Sequence, residues 1–160
     1  MTPALAQSGT DPSGSATKVL ASSGSGFNVS SVEALIQRGD AAVSSGNLVQ
    51  AKKDYDNART ASKQLLAFYR DLSGSFRGLD ARIPREMDTK GRAALALLAQ
   101  SNLRLAALFR RQGQPAVAVP VLVEVVRLMT PAKPEGQKAY QSLLELGFVD
   151  TPYRGASAGE

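Results

Sequence analysis

Leu48, Ala51, Tyr55, Ala58, Ser62, Leu65, Tyr69 and Leu72 follow one another at alternating steps of three and four residues. That spacing brings the whole set onto one face of an α-helix, whereas a strand would scatter it over both faces. A helix of about 25 residues, with Asn47 as its cap, is therefore predicted. A helix with one apolar seam gains most of its stability from whatever covers that seam. The remainder of the chain must supply the cover.

Four further segments have helical spacing. Ser30 or Ser31 can cap a helix of about 14 residues that starts at Val32-Glu33, carries Leu35, Ala42 and Val43, and stops at Ser44-Ser45-Gly46. A third helix is expected from about Thr89 or Gly91 to Gln112, with Leu95, Leu98, Leu105 and Phe109 on its seam and Gly113 closing it. Pro115 suits the first turn of a fourth, ending near Met129 before Thr130-Pro131; Pro120 inside it removes a backbone donor and predicts a bend. A fifth runs from about Pro134 to Leu146 and stops at Gly147. Val117-Ala118-Val119 and Val121-Leu122-Val123 favour strand locally, but the helical pattern around them outweighs that preference. The fold class predicted is all-α.

The 160 residues suit one domain with tails, placed here as a leader over 1–29, a helical domain over 30–150 and a tail over 151–160. Both tails are rich in Ser, Gly and Pro and hold too little apolar surface to offset the entropy of ordering, so they are expected to be disordered. Ala4-Leu5-Ala6-Gln7 has the small-residue pattern of a signal-peptidase site, yet lacks the charged and apolar stretches that should precede one. Chance in an Ala-rich leader is the better account, with export the alternative to a cytoplasmic default. No apolar run reaches the ~18–20 residues of a membrane span, so a soluble chain is expected.

The chain has no Cys, no His and no Trp. Disulfides, thiolate chemistry and imidazole bases or metal ligands are thereby excluded. Glu86 and Asp88 form the one tempting carboxylate pair, and Gly74, Gly78 and Gly91 are too scattered for a phosphate loop. A non-enzymatic protein without a cofactor is expected. Lys and Arg number 19 against 14 Asp and Glu, a net +5, which favours acidic partners. Aromatic residues make up only 6%, and the cations are not interleaved with them as stacking platforms would require. Nucleic acid is therefore the weaker of the two partner classes.

The small and core residues Gly39, Gly46, Ala51, Tyr55 and Ala58 are answered 67 residues later by Ala106, Gly113, Ala118, Leu122 and Val125. The first set resembles the tetratricopeptide repeat family, in which a small residue on the first helix meets the second, Gly closes the turn, and Ala, an aromatic and Ala follow. The second set resembles it more loosely, with Leu105, Phe109 and Pro131 in fitting places. Arg38 and Leu35 depart from the family pattern. No middle repeat is recognisable, because Pro84 and Arg85 stand where a small residue belongs. Lengthened second and third helices, packed antiparallel so that Ser62 and Asn102 come side by side, account for the offset better.

The resemblance implies two helical hairpins and a capping fifth helix, acting through a concave face built from the first helix of each pair. It places a partner-binding face on Glu33, Ile36, Asp40 and Val43, and on Leu103, Arg104, Ala107, Arg110 and Arg111. The second group is cationic, so the partner expected is an acidic or amphipathic protein segment. The family's carboxylate clamp is not implied, since Asp40 stands where the clamp has Asn. Two repeats fall short of the three a solenoid usually needs; either the fifth helix caps strongly or the chain self-associates. The connection Ser73 to Arg92 carries Arg77, Arg82, Arg85, Lys90 and Arg92 among acids and is expected to be a loop whose charges pair locally.

Overall fold

The computed structural model describes residues 26–155. Most of the leader, including Ala4-Leu5-Ala6-Gln7, and residues 156–160 of the tail lie outside the described residues. Five helices follow in order: α1 (Val29–Ser44), α2 (Leu48–Phe76), α3 (Arg82–Arg111), α4 (Pro115–Met129) and α5 (Pro134–Glu145). There is no strand among the described residues. Successive helices pack as hairpins, and α3 also touches α1 on one side and α5 on the other. None of these helices is long and apolar enough to cross a membrane.

Helix α1 begins earlier than Val32, because Asn28 rather than Ser30 or Ser31 caps it; its side-chain oxygen accepts from the Ser31 amide at 2.8 Å. Phe27 meets Phe68 edge to face at 5.6 Å. The last residues assigned to the leader therefore belong to the fold. At the other end the Tyr140 hydroxyl donates to the Thr151 carbonyl at 2.6 Å, tying the first residue of the expected tail to α5.

The largest departure from expectation is the connection between the long helices. Helix α2 runs through Gly74 to Phe76 and α3 starts at Arg82, so Arg77 to Ala81 alone separate them. A mid-helix glycine costs about 1 kcal/mol, but the extension buries Ser73 and Met87, and the Ser73 hydroxyl donates to Asp88 at 2.6 Å. Pro84 falls in the first turn of α3, where a missing N–H breaks no intrahelical bond. Gly78, at φ +81°, turns the chain.

That turn sets α2 and α3 antiparallel, with Gly91 against Tyr69 and Leu66. Extrapolating the register puts Ser62 and Asn102 within about one helical turn of each other. Both are fully buried but bond elsewhere: Ser62 to the Ala58 carbonyl, Asn102 to Glu124. The core has two clusters, one where α1 and the N-terminal half of α3 meet the C-terminal half of α2, the other where α3, α4 and α5 converge with the end of α1 and the start of α2. Leu95 packs against both and joins them.

Two glycines are required by close approach. A Cβ on Gly39 would lie 2.4 and 2.6 Å from ring carbons of buried Tyr55. A Cβ on Gly136 would lie 1.9 Å from the Thr130 carbonyl oxygen, a backbone atom that cannot swing aside. Thr130 itself holds φ 61°, ψ 156°, a conformation otherwise left to glycine and costing about 1–3 kcal/mol. Gly39→Ala should destabilise by about 1–3 kcal/mol and Gly136→Ala by about 3 kcal/mol or more in urea titrations. Equal stability of Gly136→Ala and the parent would show that the α4–α5 approach is not tight.

Candidate functional site

Helices α1, α3 and α5 end in the same way. Gly46, Gly113 and Gly147, at steps of 67 and 34 residues, each take positive φ. At each end the glycine amide donates to a carbonyl three residues back and the next amide reaches five back: Gly46 to Val43 and Asn47 to Ala42, Gly113 to Arg110 and Gln114 to Phe109, Gly147 to Leu144 and Phe148 to Leu143. This paired closure satisfies the last carbonyls of each helix. Helices α1, α3 and α5 thus share one form of C-terminal closure.

The matched core residues behave alike. Ala51, Ala58, Ala118 and Val125 are completely buried, and Tyr55, Ala106 and Leu122 nearly so. Tyr55 has a second task. Its hydroxyl donates to Asp40 at 2.6 Å, and Arg104 of α3 donates to the same carboxylate oxygen at 2.8 Å. Burial pushes the Asp40 carboxyl up, but the hydrogen bonds from Arg104 and Tyr55 and the guanidinium charge hold it below its ordinary 3.8. Burial, reinforced by bonding to Asp40, pushes the Tyr55 phenol well above its ordinary 10. Asp40 and Arg104 are thus brought together as a link among α1, α2 and α3.

A groove of about 640 Å³ lies between α3 and α5. Leu103, Arg104, Ala107 and Arg110, four of the residues assigned to the binding face, line it. Opposite them α5 contributes Pro134, Lys138 and Gln141, which are 34 residues beyond Gln100, Arg104 and Ala107, also in the lining. The α5 wall was missed from the sequence, although the 34-residue step from Gly113 to Gly147 was there to find. Arg110 is paired with Glu145 across the groove at 3.0 Å. With Arg104 held by Asp40, Lys138 is the one lining cation without an ion pair among the described residues.

The remaining assigned residues lie elsewhere. Ile36 is turned into the core with Val32, Leu65 and Leu66, so it offers no surface to a partner. Val43 is half-buried against the other core cluster, while Glu33 and Arg111 are exposed outside the groove lining. Arg111 stands with Arg110 in the last turn of α3, where a cation complements the helix dipole.

A second ionic knot joins α2, α3 and α4. Glu124 accepts from Lys63 at 2.7 Å, from Asn102 at 2.8 Å, and from both Nε and a terminal nitrogen of Arg59. Burial alone would raise its carboxyl; the hydrogen bonds from Lys63, Arg59 and Asn102 and the Arg59 charge lower it from 4.5 to about 2. Asp54, almost fully buried, is bonded by Gln50 and Arg38. Among the described residues no group of three or more His, Cys, Asp or Glu is placed to hold a metal. The chain matches no protein-family model, and no curated protein or solved structure gives a significant match.

A carboxyl depressed on folding stabilises the native state above its unfolded pKa and loses that contribution as acid protonates it. For Glu124 the loss falls between about pH 4.5 and 2, because there the unfolded chain binds the proton first. Glu124→Gln should flatten the decline in urea midpoint over that window, the parent losing about 2 kcal/mol more than the variant. Parallel declines in the two proteins would mean that Glu124 is not so coupled.

Proposed function

We propose that the chain is a non-enzymatic interaction scaffold of tetratricopeptide-like repeats that seats an amphipathic segment of a partner protein between α3 and α5. The observation that carries this reading is the groove itself. It is lined by equivalent positions of two successive first helices, spaced by the ~34 residues typical of the family. Such surfaces receive a helix or extended segment through apolar anchors with polar residues at the edges. Leu103, Ala106, Leu122 and Leu146 supply the apolar part.

The charge balance favours an amphipathic partner over a simply acidic one. Arg104 and Arg110 already have carboxylates, so an acidic segment would have to displace Asp40 or Glu145 to pair with them. Lys138 remains for a single acidic side chain at the groove edge.

The test compares the parent with Ala107→Glu, an exposed groove position whose substitution leaves the core untouched. Affinity purification from the native host, followed by a binding titration of the recovered protein's amphipathic segment, should give at least about tenfold weaker binding to the variant. Equal binding by both proteins would overturn the groove as the site. Recovery of nucleic acid alone, with affinity falling steeply between low and moderate salt, would overturn the partner class.

A further inference from the structure

A smaller concavity of about 300 Å³ opens near the other end of α3, where the N-terminal half of that helix crosses the C-terminal half of α2. Leu66, Met87 and Leu95 give it apolar lining, and Arg70, Arg77 and Arg92 surround them. All three arginines are exposed, and among the described residues none forms an ion pair. Arg92 gives one N–H to the Thr89 hydroxyl at 3.1 Å. Among nearby acids, Asp80 is engaged with Arg82, Glu86 with Lys90, and Asp88, which lines the same concavity, with the Ser73 hydroxyl, while Asp71, next to Arg70 in sequence, lies outside the lining.

The local charge pairing expected of this segment therefore holds for Arg82 and Lys90 and fails for Arg77, Arg85 and Arg92. Three arginines and one carboxylate line this concavity, an excess of positive charge that a multiply charged oxyanion would complement. Gly91 provides an independent observation. It is buried in the middle of α3, yet an added Cβ would meet Tyr69 at 3.8 Å and Leu66 at 4.0 Å, ordinary contact distances. Helix packing thus does not demand glycine there, although a glycine costs about 1 kcal/mol relative to alanine. Its effect is to leave bare backbone on the lining of the concavity.

We propose that this concavity binds a small phosphate monoester, the phosphoryl group held among Arg70, Arg77 and Arg92 and the organic body resting on Leu66, Met87 and Leu95. A phosphoryl dianion presents three terminal oxygens to three forked donors, which a carboxylate cannot do. The volume suits a compact ligand, at the lower end of small-molecule sites. This site shares α3 with the partner groove but none of that groove's lining residues.

Phenyl phosphate, inorganic phosphate and benzoate would be titrated separately into the full chain while the backbone amides of Leu66, Gly91 and Leu95 are followed by NMR. Saturable shifts are expected with phenyl phosphate, weaker binding with inorganic phosphate and weaker still with benzoate. Arg70→Gln combined with Arg92→Gln should weaken phenyl phosphate by about tenfold or more, and Arg111→Gln, remote from the concavity, should leave it unchanged. Gly91→Ala should weaken binding while its melting temperature stays level or rises. Absence of saturable shifts, parent-like affinity in the double arginine variant, or benzoate binding as tightly as phenyl phosphate would overturn the proposal.

Discussion

The antiparallel contact between α2 and α3 is the constraint on which the other elements depend. These helices, of 29 and 30 residues, present the longest apolar seams in the chain, and each is covered chiefly by the other. Their close approach relies on small residues, Ala58, Ser62, Ala94 and Ser101 among them, all completely buried. Ser62 and Ser101 each turn the hydroxyl back to a carbonyl one turn earlier, so the contact tolerates polar atoms without leaving a donor unmet. Helices α1 and α4 then pack against this pair, and α5 follows α4.

Side-chain ionic groups fix how those outer helices sit. Asp40 joins α1, α2 and α3 through Tyr55 and Arg104; Glu124 joins α4 to α2 and α3 through Arg59, Lys63 and Asn102. Apolar packing alone is permissive about rotation and sliding, whereas a carboxylate with several donors accepts few geometries. These carboxylates therefore set orientation more than they add stability. Their partial burial also explains why cations that look like a free basic surface in the sequence are already committed within the fold.

The helices themselves were legible in the sequence wherever a seam at steps of three and four ran unbroken, as from Leu48 to Leu72. The segment around Ser73 to Arg92 was not, because Gly74, Gly78 and Pro84 resemble loop signals and the contacts that override them come from the facing helix. Arg104 and Ala107 could be placed on a common face from helical spacing. The opposite wall could not, since it depends on where α5 docks, and Ile36 could not be told from a surface anchor without knowing how α1 is rotated against α2. Pairing of Arg104 with Asp40, 64 residues apart, has no local signal at all.

The contact of Gly136 with the Thr130 carbonyl bears on how the α3–α5 groove can change. One wall of the groove is positioned by backbone meeting backbone, at a place where the chain accepts a strained Thr130. The lining side chains, Lys138 and Gln141 opposite Arg104 and Ala107, take no part in that contact. Shape and chemistry are thus held by separate residues. Under the proposed function, substitutions along the lining would alter which partner is received while the frame of the cleft stays the same, leaving recognition free to drift.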